Sequence, residues 1–161
     1  GVMPRENTVS YSCPGLIGKA RTIPQMKDAL CRAGALAQEQ GYEIKIGSSY
    51  RSFAAQHNNW CKSTKPIKTR RLFVAVPGFS NHGLGRALDV KLFKDGERLT
   101  GPFKSKEQCK IDPLLVEKLA SFFYDADPKF NRLETEIWHF EYGTTGKRSR
   151  DQYTNLPRRC R

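Results

Sequence analysis

The chain contains no run approaching the roughly 20 apolar residues that cross a bilayer, and its opening GVMPRENTVS carries no apolar signal core. A membrane span is therefore not expected, while the opening residues leave the compartment undecided. Internal repeats and low-complexity tracts are absent too, which excludes disordered and collagen-like classes. No C-x-x-C pair occurs among the five cysteines, arguing against zinc-finger and thioredoxin-type motifs. Acidic residues are scarce beside basic ones: 16 Asp+Glu against 28 Lys+Arg leaves a formal charge of +12. Histidine is scarcer still, with three in the chain.

What is present suffices for a folded body. At 161 residues, 38% hydrophobic and 11% aromatic, the chain fits one domain over 1–161, and a mean hydropathy of -0.63 marks it as soluble. Its positive field would concentrate nucleic acid, anionic lipid or the acidic polymers of a bacterial cell wall, or would simply keep the surface solvated. The basic residues cluster at Lys62, Lys65, Lys68, Arg70 and Arg71 and again from Lys147 to Arg161. Neither cluster forms a recognition helix with interleaved aromatics, so nucleic acid is not an expected partner. Cys13, Cys31, Cys61, Cys109 and Cys160 suit one or two disulfides in an oxidising compartment, with connectivity open and at least one thiol left over. Five reduced cysteines in a cytoplasmic protein are the alternative.

Periodicity reads as one α+β domain whose motif core spans 48–143 between polar tails, 1–21 and 144–161. Met26, Ala29, Leu30, Ala33, Leu36 and Ala37 share a helical face within Pro24 to Gln40, and Gly41 can stop that helix. Tyr42 to Ser48 alternates as a half-buried strand, and Ser52 can cap a second helix carrying Phe53, Gln56 and Trp60. The basic stretch from Cys61 to Phe79 reads as a long surface connection. Ala87 to Phe93 reads as a strand, turning at Lys94-Asp95-Gly96-Glu97 into a short partner at Arg98-Leu99. Asp112-Pro113 opens a third helix that faces Leu115, Leu119, Phe122 and Phe123 inward. Glu136 to Tyr142 reads as a strand, followed by coil that Cys160 can pin.

Two of the histidines keep chemical company. His82 lies in Ser80-Asn81-His82-Gly83-Leu84-Gly85-Arg86-Ala87-Leu88-Asp89, and His139 ends Glu136-Ile137-Trp138-His139. Two imidazoles and a carboxylate can hold a divalent transition metal and leave a position for water. A non-haem iron oxygenase would use the same donor types, but its H-x-D spacing is missing and Glu136 would have no task there.

The pattern Ser-x-His-x-x-Gly-x-Ala-x-Asp, met by Ser80, His82, Gly85, Ala87 and Asp89, precedes Glu-x-Trp-His at Glu136, Trp138 and His139. Upstream stands Ser49-Tyr50-Arg51-Ser52 with Gln56. In this order the three segments resemble the VanY- and VanX-type zinc D-Ala-D-Ala peptidases, over more than half the chain. The resemblance implies the fold shared with lysostaphin-type enzymes and the hedgehog signalling domain, a small central antiparallel sheet with helices packed around it. It also implies one zinc ion per chain on His82, Asp89 and His139, with Glu136 as catalytic base and Arg51 stabilising the oxyanion. Ser80 and Gln56 would contact substrate, and Trp138 would either form a wall of the substrate pocket or serve as a core aromatic.

The implied activity is hydrolysis of peptidoglycan peptide stems, foremost as a D-alanyl-D-alanine carboxypeptidase, by a monomer in the periplasm or outside the cell. A peptidoglycan endopeptidase is the alternative on the same fold, and a non-catalytic metal-stapled binding domain is a further one. Arg86 or Lys91 would serve a carboxypeptidase as grip for the terminal carboxylate.

Strand alternation conflicts with these roles at one point. Glu136 and His139 are three apart and would face opposite sides of a regular strand, so Glu136 is expected in a turn or bulge before it. His57 reads as a solvated histidine, and Glu141, on the face of His139, reads as a surface carboxylate before an orienting one.

Overall fold

The computed structural model describes residues 2–71, 74–75, 80–101, 104, 106–144 and 153–161. Residues 2–22 form a structured segment with β1 (Val9–Tyr11), β2 (Leu16–Ile17) and β3 (Ala20–Thr22). This corrects the reading of 1–21 as a polar tail. Strand β1 pairs antiparallel with β3, and Leu16 and Ile17 of β2 run parallel beside Ile44 and Lys45. Strands this short show weak alternation, which is why the sequence pattern hid them.

After a turn at Pro24–Met26 comes α1 (Lys27–Glu39), then β4 (Glu43–Ser48) and α2 (Phe53–Lys62), which begins where the Ser52 hydroxyl accepts from Ala55 N. The stretch expected as loop continues α2 through Lys62 and holds a further turn, α3 (Ile67–Arg70); residues 72, 73 and 76–79 lie outside the described part. Then follow β5 (Ala87–Lys94), β6 (Glu97–Arg98), α4 (Pro113–Ala126), β7 (Phe130–Arg132) and β8 (His139–Tyr142). Asp95 and Gly96, both at positive φ, turn β5 into β6 as expected. The Asp112 carboxylate caps α4 by accepting from Leu114 N.

The main sheet runs β2-β4-β5-β8-β7, with β6 on the end of β5. All of its pairs are antiparallel except β2 with β4. Alternation gives the sheet two unlike faces. Leu88, Val90, Leu92 and Phe140 turn to one side and are wholly buried with Leu30, Ala33, Leu119 and Phe123 of α1 and α4. Each such large apolar side chain contributes roughly 1.5–3 kcal/mol. Phe123 stacks on Phe140 at 4.1 Å between ring centroids, locking α4 to β8. Val116 faces a second cluster with Ile137 and Leu156, which Trp138 and Cys160 partly cover.

Disulfides Cys13–Cys31 and Cys109–Cys160 tie the N-terminal segment to α1 and the C-terminal segment to the body, leaving Cys61 exposed and free. No helix among the described residues is long and apolar enough to cross a membrane.

Candidate metal centre and its cleft

The opposite face of the sheet carries the polar motifs. Register does the aiming: Asp89 of β5 lies directly across from His139 of β8, so their side chains leave the sheet side by side. Asp89 Oδ1 stands 2.9 Å from His139 Nδ1, and Asp89 Oδ2 stands 3.4 Å from His82 Nε2. On the other flank, Ser48 reaches the Asp89 position through a register shift between Ile46 and Ser48. Gly47 sits in that shift, where a Cβ would come within 3.1 Å of the Asp89 carbonyl oxygen. Tight backbone approach and the shift together bring Ser48 level with Asp89.

His82 arrives from the turn that precedes β5. Gly85 closes this turn at φ +68, where a side chain would press on Ile23. Arg51 N donates to His82 O at 3.0 Å, tying the turn to the entry of α2.

Strand β8 starts at His139, three residues later than the sequence reading had it. Glu136 lies ahead of it in a turn closed by His139 N donating to Glu136 O at 3.3 Å, as the alternation argument required. Its Oε2 thereby comes to 3.8 Å from His139 Nδ1.

Both imidazoles have one nitrogen already engaged. His82 Nδ1 is 2.7 Å from the Ser49 carbonyl oxygen, which can only accept, so Nδ1 carries a hydrogen and Nε2 is the nitrogen turned to Asp89. His139 Nε2 is 3.1 Å from Glu141 Oε1, leaving Nδ1 as the inward nitrogen. Glu141 is 2% exposed, and Asn81 and Thr144 also bond its carboxylate. It is a buried partner of His139, which corrects its reading as a surface carboxylate. The two-residue spacing from His139 was the available signal.

Burial works against charge on all three groups, and their mutual bonds outweigh it. Desolvation would raise the Asp89 carboxyl, yet hydrogen bonds from His139 and His82 hold it well below the usual carboxylate range. Desolvation would lower His139, yet Asp89 and Glu141 bring it up to about 9. Glu141 is held below its ordinary value chiefly by His139, against its own burial.

His82, Asp89 and His139 can each present a ligand atom such that the three atoms lie within 4.8 Å of one another. That convergence of nitrogen and oxygen donors, with the outward nitrogens already bonded, fits a transition-metal ion.

These residues open into a cavity of about 850 Å³. Arg51, Gln56, Ser80, Glu136 and Trp138 all line it. The Arg51 guanidinium donates to Gln56 Oε1 at 2.6 Å and to Ser48 Oγ at 2.9 Å. Gln56 is 2% exposed, and its Nε2 donates to Ala75 O at 2.6 Å, so both ends of the amide are committed to the protein. The Ser80 hydroxyl accepts from His82 N at 3.2 Å. Arg86 and Lys91 are not among the lining residues; Arg86 instead donates to Tyr142 O at 3.3 Å. His57 is exposed on α2, stacked at 6.3 Å on Phe53.

A donor set of this kind, with an acid and a guanidinium facing the same space, is the equipment of metal-dependent hydrolysis. The family model described as VanY, D-alanyl-D-alanine carboxypeptidase, matches residues 20–146, and the chain belongs to that family. Bacillus subtilis (strain 168) YodJ, a carboxypeptidase by name, is 29% identical over 140 residues, covering 83% of this chain and 50% of YodJ. The chain thus spans about half the length of the curated relative it matches.

Among solved structures, a zinc complex of the D,D-pentapeptidase VanY from a VanB-type vancomycin resistance cassette superposes with a TM-score of 0.56 at 22% identity, covering 89% of this chain and 83% of that one. The LD-carboxypeptidase LdcB superposes with a TM-score of 0.60 at 24% identity, covering 84% and 67%. The fold is that of these peptidases, as the sequence motifs implied.

Proposed function

We propose that the protein is a zinc peptidase that removes the terminal D-alanine from peptidoglycan stem peptides. The observation that carries this is the convergence of His82 Nε2, Asp89 and His139 Nδ1 on one point, with Glu136 and Arg51 facing the same cleft. His82, Asp89 and His139 would hold one zinc ion, which when bound lowers the pKa of its water to about 7.

Glu136 accepts a proton from the attacking water at its carboxylate and delivers it to the departing amine nitrogen. One C–O bond forms, the peptide C–N bond breaks, and water supplies both hydrogens that the products need. Arg51 hydrogen-bonds the carbonyl oxygen as negative charge develops there, and Gln56 and Ser48 hold its fork in place. Gln56, expected to touch substrate, is thus assigned to orienting Arg51. Ser80 and Trp138 are assigned to the substrate's walls, with Trp138 also covering the cluster around Ile137.

The family and the two disulfides fit an extracytoplasmic setting. Digestion of purified muropeptides, read by mass spectrometry, tests the activity. Loss of one alanine from pentapeptide stems is the expected product. Separation of cross-linked dimers without that loss would replace the carboxypeptidase with an endopeptidase.

A further inference from the structure

Helix α2 lays a polar stripe along the cleft. Gln56, Asn59 and Lys62, spaced as one helical face, line the cavity, as do Ser63 at the end of α2 and Arg71 just beyond α3. The stripe begins at the metal end, where Gln56 holds Arg51, and Lys62 lies six residues on, ~9 Å along the helix axis. Acidic and aromatic side chains line the same cavity, among them Glu134, Glu136, Trp138 and Tyr153.

The charges at the far end of the stripe are unspent. Neither Lys62 nor Arg71 takes part in an ion pair among the described residues, whereas Arg51 and Arg70 are both engaged within the protein. Lys62 suits the C-terminal turn of α2 by charge alone. That does not account for Arg71, whose helix has only four residues, nor for both cations meeting in one cavity.

Resting on the peptidase reading above, we propose that Lys62 and Arg71 form an anion subsite of the cleft that selects substrates carrying a free carboxylate two or three residues before the scissile bond. Distance places the group on the acyl side. An extended peptide advances about 3.3 Å per residue, so ~9 Å from the Arg51 end is two to three residues. The leaving residue of a carboxypeptidase ends well short of that span. An ammonium and a forked guanidinium together suit a carboxylate, and its primary amide would lose the charge-assisted bonds.

The test uses two synthetic pentapeptides ending in D-Ala-D-Ala, identical except for a free acid or its primary amide at the acidic residue two positions before the scissile bond. With wild-type, metal-loaded protein, kcat/KM for the acid should exceed that for the amide about tenfold, a ratio that moderate salt reduces. In the Lys62→Gln/Arg71→Gln double variant the ratio should fall to about one, and Arg71→Glu should invert it. Binding of both peptides to Glu136→Gln, measured by calorimetry, should show the same preference without turnover. Turnover with equal rates and equal binding would overturn the subsite and leave the peptidase reading intact. A preserved binding preference without turnover in the wild type would uphold the subsite and sink the peptidase. Failure of either peptide to bind would sink both.

Discussion

Glu136 and His139 share one turn and one centre, yet removing them should have different consequences. Glu136→Gln keeps the shape and loses the proton carrier, so metal content should persist while turnover falls about 10²- to 10⁴-fold. Loss of metal from that variant under dialysis that spares the wild type would make Glu136 a ligand. Glu141→Leu should act through His139 instead: without its acceptor the imidazole loses its orientation, and metal affinity should drop about 10- to 100-fold in a chelator competition. Glu141→Gln, which keeps an acceptor, should recover much of it; equal loss in both variants would mean that packing alone is at stake.

Protonation of the same groups gives a pH signature. In metal-free protein, His139 at about 9 lies above its unfolded value near 6.5, so its contribution to stability is fully present below about pH 6.5 and fades as pH rises through about 9. Asp89 and Glu141, both held below their ordinary values, contribute above about pH 4 and lose that contribution as pH falls. Tm of the metal-free protein should therefore be highest between about pH 4 and 6.5. Loading the metal should move that maximum upward, because ligand nitrogens bind only when deprotonated. A metal-free Tm that rises from pH 6.5 to 9 would contradict the Asp89–His139–Glu141 chain.

At the scale of elements, β8 serves two faces at once: His139 and Glu141 line the site while Phe140 and Tyr142 enter the core. Phe123→Ala removes the ring stacked on Phe140 and should cost about 3–5 kcal/mol in denaturant unfolding. If β8 positions His139 through that packing, metal affinity should weaken in the same variant.

Helices α1, α2 and α4 and strand β5 were legible because each repeats its period over several turns or pairs, and caps such as Ser52 and Asp112 mark helix starts, whereas the single turn of α3 was read as loop. Strands β1, β2 and β3 were not, since two or three residues make no period and their partners are distant in sequence. The site residues were legible as motifs. Their aim was not, because it depends on the Gly47 shift and on the register of Asp89 against His139, which are properties of pairing. Gln56 and Glu141 were visible as residues, but their tasks appeared only when burial showed what each one touches.

For the whole molecule, covalent ties and net charge set the predictions. Thiol titration of unreduced, unfolded protein should find one reactive thiol, from Cys61, and five would remove both disulfides and the extracytoplasmic argument with them. The charge of +12 should matter most for a polymeric acidic substrate, with steering screened beyond about 8 Å at physiological ionic strength. Activity on intact sacculi should fall steeply between low and moderate salt, while hydrolysis of a short, nearly neutral peptide changes little. Of the basic C-terminal segment, Lys147, Arg148 and Arg150 lie outside the described residues, and Arg158, Arg159 and Arg161 stand near Cys160. Unchanged salt dependence after neutralising the segment would reduce it to a solubilising surface. The central claim, one zinc ion held by His82, Asp89 and His139, is tested most directly by metal stoichiometry from elemental analysis of the wild type beside His82→Ala. One zinc per wild-type chain and none in the variant is the expected result; stoichiometric zinc in both would contradict it.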